Sequence, residues 1–205
     1  MILKDVKPTS FLTGRYEVID PAYGIDCQKI ELDLGCGKGG FSIELARRNP
    51  DSLVLAVDIK ASRLKRINNK AAVNKLKNVQ TVRVMAWDLV SYLLPADCLD
   101  RVHILCPDPW PKKKHRGNKL ITSEFLGRLS RVMKDGAVLH LATDDQPYLE
   151  WMKNAINPLS CFIPYEEGID DVRDIQTEFE RYYVSVGKFV GHISFRLNKN
   201  SDSLN

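Results

Sequence analysis

A chain of 205 residues, 44% hydrophobic and 27% charged, is long enough for one well-buried core and short for two, so it is read as one domain. The formal net charge of +4 is too small to prove a polyanionic partner, which makes the placement of the cations matter more than their sum. Cys27, Cys36, Cys98, Cys106 and Cys161 form no Cys-x-x-Cys pair, no apolar run approaches the roughly 18–20 residues of a membrane span, and the amino terminus lacks a secretory apolar core. These features point to a reduced, cytoplasmic chain with no membrane or metal partner.

After an amino-terminal segment, residues 1–28, the domain is expected over 29–198, with a frayed tail over 199–205. Lys29 to Leu34 reads as the first strand and runs into Gly35-Cys36-Gly37-Lys38-Gly39-Gly40. Gly35, Gly37 and Gly40 satisfy the dinucleotide pattern G-x-G-x-x-G, and Asp58 closes the next strand, Leu53 to Asp58, where a ribose-binding carboxylate belongs. NAD is therefore one candidate. S-adenosylmethionine is favoured, because Asp33 precedes the first glycine: a carboxylate there repels a pyrophosphate but holds an ammonium by a charge-assisted hydrogen bond. A phosphate loop is absent, since Lys38 is followed by Gly39. Cys36 reads as a small filler.

Leu64, Ile67 and Ala71 form one face of a helix carrying Arg63, Lys65, Arg66 and Lys70. A third strand, Val79 to Met85, leads to Asp88, which either takes the exocyclic amine of an adenine or caps a helix. Trp87 reads either as a flank for that ring or as a packed core residue. The fourth strand, Arg101 to Leu105, precedes Asp108-Pro109-Trp110-Pro111, whose prolines keep the loop out of helix and present Asp108 in a fixed direction. Next comes the densest basic run, Lys112, Lys113, Lys114, His115, Arg116 and Lys119, read as phosphate contacts or as a solvated face; the set around Arg63 is expected to extend that footprint.

Phe125, Leu126, Leu129, Val132 and Met133 give a helical face that starts near Thr122 and stops before Gly136. Ala137 to Ala142 is the fifth strand. Asp144 and Asp145 follow it, as functional carboxylates or as caps of the helix carrying Pro147. Asn157-Pro158 breaks that helix, Glu166 to Asp174 reads as an acidic loop, and His192 to Leu197 as a late strand. His103 and His140 fall in apolar strands and are expected to be buried and hydrogen-bonded. The alternation implies an α/β fold, a doubly wound, mostly parallel sheet with one or more late antiparallel strands.

Leu-Gly-Cys-Gly-Lys-Gly, Asp-Pro-Trp-Pro-Lys-Lys-Lys-His, Thr143-Asp144-Asp145 and Thr177-Glu178-Phe179-Glu180 occur in the order that resembles the bacterial tRNA (guanine-N7)-methyltransferase family, over about Lys29 to Gly187. The resemblance implies a Rossmann-like methyltransferase sheet and methyl transfer from S-adenosylmethionine to N7 of a guanosine in the tRNA variable loop, by a monomer or homodimer. It assigns cofactor contacts to Asp33, Gly35, Gly37, Asp58, Asp88 and Asp108, and substrate contacts to Lys112, Asp144 and Thr177 through Glu180. Asp108 is the expected catalytic carboxylate. The family usually has glutamate where this chain has Asp33 and Asp58. A methyltransferase of another substrate, an NAD-dependent oxidoreductase and a non-catalytic RNA-binding relative are the other readings.

Overall fold

The computed structural model describes residues 27–200, apart from the side chains of Lys113 and Arg116. All but the last two residues of the expected segment 1–28, and the tail from 201 onward, lie outside it. In chain order the elements are β1 (Lys29–Leu34), α1 (Gly40–Arg48), β2 (Ser52–Val57), α2 (Ala61–Val73), β3 (Val79–Val82) and α3 (Ala86–Asp88), which runs into a π-type turn, Leu89–Leu93. Then come β4 (Leu99–Leu105), a 3₁₀ segment Lys113–Asn118, α4 (Ser123–Val132), β5 (Met133–Thr143) and α5 (Gln146–Ile156). The chain continues through β6 (Phe162–Pro164), a 3₁₀ turn Glu166–Ile169, α6 (Glu178–Ser185) and β7 (Gly191–Leu197).

The strands form one sheet in the order β3-β2-β1-β4-β5-β7-β6. β1 to β5 are parallel, and β7 lies antiparallel to both β5 and β6. This is the expected doubly wound sheet. Strand order reverses at β1 and β4, so the crevice beyond their carboxyl ends is where such a sheet binds ligands.

Alternation along the strands sends two different populations to the two faces. Leu32, Leu34, Val102, Ile104, Leu139 and Leu141 pack with α4, α5 and the Leu89–Leu93 turn in the larger core cluster. Phe125, Leu126, Leu129 and Val132, the apolar stripe of α4, are fully buried there; burial stabilises each such side chain by roughly 1.5–3 kcal/mol over exposure. Thr122 starts α4 by accepting from the Phe125 N–H at 3.1 Å. The opposite face packs Phe41, Leu45 and Ala46 of α1 against Val54, Leu105 and Ala142. That face also buries Glu31, Asp33, His103 and His140, and burial of so many polar groups requires that each find a partner.

Several boundaries differ from the sequence reading: β4 begins two residues earlier, at Leu99, β2 is shifted back by one residue, and β7 begins one residue earlier. β3 ends at Val82, three residues early, because α3 begins at Ala86 and the chain must leave the sheet. α4 ends at Val132 and Met133 already belongs to β5, with Gly136 at φ +79° inside the strand. Met133 pairs with Leu99 and Val138 with Arg101, so Gly136 lies in the stretch where the register against β4 shifts.

Candidate active site

The turn after β1 is built from left-handed residues: Gly35, Gly37 and Gly39 have φ of +83°, +56° and +76°. At Gly39 a Cβ would lie 2.2 Å from Ile67 Cγ1, so the loop and α2 approach as closely as backbone permits. Gly39→Ala combines that overlap with left-handed strain and should lower stability by about 2–5 kcal/mol. Urea unfolding of the purified variant measures it, and a cost under about 1 kcal/mol would mean that the loop yields easily.

Asp33 sits at the end of β1 under this loop, 3% exposed. Its Oδ2 accepts from the Ser42 hydroxyl at 2.5 Å, a contact from the first turn of α1. Burial raises its carboxyl to about 7, Ser42 opposes the rise, and the Glu178 and Asp58 charges add to it. Asp58, buried beyond β2, accepts from the Gly37 N–H at 3.2 Å, the Lys60 N–H at 2.8 Å and Arg63 at 2.8 Å. It thus braces the glycine loop from the neighbouring strand. Asp88 ends α3 and its side chain caps nothing, so the capping alternative for it fails. Trp87 packs edge-on against Phe125 at 5.3 Å, as a core residue.

The loop after β4 is strained around Asp108. Cys106 and Trp110 have φ of +50° and +44°, a conformation that costs non-glycine residues roughly 1–3 kcal/mol each. Pro107, Pro109 and Pro111 alternate with Cys106, Asp108 and Trp110. The Cys106 N–H donates to Ala142 O at 2.8 Å, tying the loop to β5. Asp108 is exposed, and Trp110 stacks obliquely on His115 at 5.5 Å.

Cys106, two residues before Asp108, was not singled out from the sequence. Burial pushes its thiol up to about 12, the Glu180 and Asp144 carboxylates push it further, and a hydrogen bond with Thr177 opposes them. The hydrogen bond with Thr177 ties the loop after β4 to the start of α6. Asp145 caps α5, accepting from the Tyr148 N–H at 2.7 Å. Asp144 does not; it meets Lys188 Nζ at 3.3 Å.

Thr177 and Glu180 form a capping box on α6: the Glu180 N–H donates to Thr177 Oγ1 at 3.0 Å and the Thr177 N–H to Glu180 Oε2 at 3.1 Å. Glu178 reaches back to Lys70 at 3.3 Å, and Lys70 also donates to Lys38 O at 2.9 Å. Asp33, Gly35, Gly37, Thr177, Glu178 and Phe179 consequently line one narrow crevice, with Leu105 at its side. The expected cofactor loop and the Thr-Glu-Phe-Glu motif are therefore in contact.

The basic residues divide. Lys112 and Lys114 are exposed beside Trp110. Lys119 lies over the Tyr148 and Trp151 rings at 4.5 and 4.7 Å. Arg63 and Lys70 turn inward to Asp58 and Glu178, which removes them from the second phosphate footprint expected around α2. Among the described residues no cluster of histidine, cysteine, aspartate or glutamate has the arrangement of a metal site, and no helix is long and apolar enough to cross a membrane.

A family described as "Putative methyltransferase" matches residues 27–191. A tRNA (guanine-N(7)-)-methyltransferase of Caulobacter vibrioides is 41% identical over 162 residues, covering 77% of this chain and 69% of the relative. The enzyme of the same name from Aquifex aeolicus is 29% identical over 164 residues, covering 80% of this chain but 55% of its own length. Among solved structures, the 16S rRNA methyltransferase KamB superposes with a TM-score of 0.64 at 22% identity, over 84% of this chain and 89% of that one, a likeness of fold. With the sheet, the glycine loop and the proline-tryptophan loop in these positions, the chain belongs to the tRNA (guanine-N(7)-)-methyltransferase family.

Proposed function

We propose that the protein transfers the methyl group of S-adenosylmethionine to N7 of a guanosine in the tRNA variable loop, in the cytoplasm. The observation that carries this reading is the crevice shared by Asp33, the glycine loop and the first turn of α6. Asp33 would hold the ammonium of the cofactor, the Gly35 and Gly37 backbone would lie against its body, Asp58 would accept from the ribose hydroxyls once Arg63 swings aside, and Asp88 would take the adenine amine. An oxidoreductase reading loses its support with membership of a methyltransferase family, and Asp33 beneath the glycines disfavours a pyrophosphate there.

Guanine N7 has an in-plane lone pair and no proton, so attack on the sulfonium methyl needs no base. The N7–methyl bond forms as the sulfur–methyl bond breaks, and the bonding pair stays on sulfur as S-adenosylhomocysteine. Alignment and electrostatics supply the rate. The guanine becomes cationic, and Asp108, held by its prolines, is the carboxylate assigned to that charge, with Asp144 the alternative. Glu178 and Phe179, on the first turn of α6, and Lys112 bind the tRNA.

Mass spectrometry of tRNA nucleosides after incubation with methyl-labelled cofactor tests the reading: labelled 7-methylguanosine is expected, and labelled tRNA without it would redirect the chemistry. Cofactor binding with no transfer to any tRNA would favour a non-catalytic relative. Lys112→Ala with Lys114→Ala should weaken tRNA binding and reduce the slope of log affinity against log salt by about 1–2, while cofactor affinity stays within about twofold. An unchanged slope would make these lysines a solvated face.

A further inference from the structure

A line of polar side chains crosses the α1 side of the sheet and ends on α6. His192 Nε2 lies 2.7 Å from Glu180 Oε1, His140 Nε2 lies 2.9 Å from His192 Nδ1, His103 Nδ1 lies 3.0 Å from His140 Nδ1, and Glu31 Oε2 lies 3.3 Å from His103 Nε2. The strands involved, β1, β4, β5 and β7, are consecutive in the sheet. His103 and His140 are paired in register, while the steps to Glu31 and His192 run diagonally, since Glu31 pairs with Arg101 and His192 with Ala142. Methyl transfer to N7 uses none of these groups as a base.

Proton counting gives the line a direction. It has four junctions, each requiring one hydrogen; three imidazoles supply three when all are neutral, and a His192 imidazolium would supply the fourth. Burial pulls His103 below its ordinary value and His140 well below it, the charges of Arg101 and the neighbouring histidines adding to the effect on His140, so the interior of the line is neutral. With His192 also neutral, one junction lacks its hydrogen. The shortest contact is at Glu180 and the longest at Glu31, where Arg101 Nε also lies 3.3 Å from the same oxygen and satisfies it without histidine. With His192 neutral the hydrogens therefore point toward α6: His103 Nδ1–H donates to His140, His140 Nε2–H to His192, and His192 Nε2–H to Glu180.

We infer that His192 is a positioning residue for the substrate site, aligned by His140 and His103 so that it holds Glu180 Oε1 while Glu180 Oε2 caps the turn bearing Thr177, Glu178 and Phe179. Glu180 is 3% exposed and carries both bonds at once, so rotation of its carboxylate releases the cap. Pre-setting that turn lowers the ordering cost of substrate binding. The role in catalysis rests on the tRNA methyltransferase reading; the geometric claim does not.

His192→Ala should raise the tRNA KM about tenfold, leave kcat within about threefold, and change S-adenosylhomocysteine affinity by no more than about threefold, since Thr177 to Phe179 form only one side of that crevice. His192→Gln, whose amide offers an N–H to Glu180 and an oxygen to His140, should restore most of the KM. Equal impairment in both variants, or no change of KM in His192→Ala, would overturn the inference for catalysis. Two readouts need no tRNA activity. Amide exchange at Thr177, Glu180 and Arg181 should quicken in His192→Ala and recover in His192→Gln, with α5 unaffected. Nitrogen NMR of a chain with four histidines should show His192 and His140 protonated at Nε2 and His103 at Nδ1; the reverse tautomers, or a His192 protonated on both nitrogens, would overturn the assigned direction. A protein with these exchange and NMR results but no tRNA methylation would retain the positioning claim and lose the proposed substrate.

Discussion

Asp108→Asn should lower single-turnover methylation of tRNA by about 10²-fold or more, the scale of a lost preorganised electrostatic contact. The change nearly preserves size and leaves the alternating prolines in place, so what it removes is charge opposite the purine that becomes cationic. Its backbone is held by strain on both sides, at Cys106 and Trp110, and by the Cys106 bond to β5, so the asparagine should occupy the same position. Binding of tRNA should change by less than about threefold. Rapid-quench transfer under saturating cofactor and tRNA separates the two effects. A near-normal rate would move the charge-stabilising role to Asp144, whose contact with Lys188 would then have to open.

The second large effect concerns Asp33. The folded chain holds its proton to about pH 7, whereas the unfolded chain releases it near the ordinary 3.8. Between those values the folded state binds more protons, so stability falls as pH rises from about 4 to about 7 and then levels. Asp33→Asn removes this cost. The apo variant should match wild type near pH 4 and exceed it at pH 8 by on the order of 2–4 kcal/mol, seen as a rise of several degrees in Tm. Affinity for S-adenosylhomocysteine should move the other way and fall about 10²-fold, because an ammonium held by a carboxylate is lost. In wild type the arriving ammonium should displace the Asp33 proton. Calorimetry at pH 6 in buffers of different ionisation heat should therefore show about one proton released, and none in Asp33→Asn. Buffer-independent heats in wild type would place the ammonium elsewhere.

The strands that frame the crevice were legible because β1, β2 and β4 are aliphatic runs ending at glycine, aspartate or cysteine-proline, a pattern that burial on two faces imposes. β6 was not: three residues, the last a proline, carry too little pattern. α6 was hidden for a different reason. Tyr182, Val184 and Val186 are exposed and Glu180 is buried, so its polarity is inverted relative to an ordinary surface helix. Its capping box was visible as Thr-x-x-Glu but read as a substrate motif. Burial of His103 and His140 could be inferred from their apolar neighbours. Their connection to His192 could not, since it depends on the register of an antiparallel strand about fifty residues later. Arg63 and Lys70 looked like part of a cationic face because sequence does not tell which side chains on α2 reach back to Asp58 and Glu178.

The position of β7 has a consequence for the order in which the molecule is made. The last strand of the chain lies inside the sheet, and β6, at the edge, pairs with nothing else. A ribosome that has released residues up to β5 has already exported the parallel half, with Asp33, Asp58 and the proline-tryptophan loop. α6 emerges next without the imidazole that steadies Glu180, and only when Gly191 to Leu197 follow does β6 gain a partner and the end of the histidine line close. The glycine-loop side of the crevice is made early in synthesis, and its α6 side is steadied only when β7 follows.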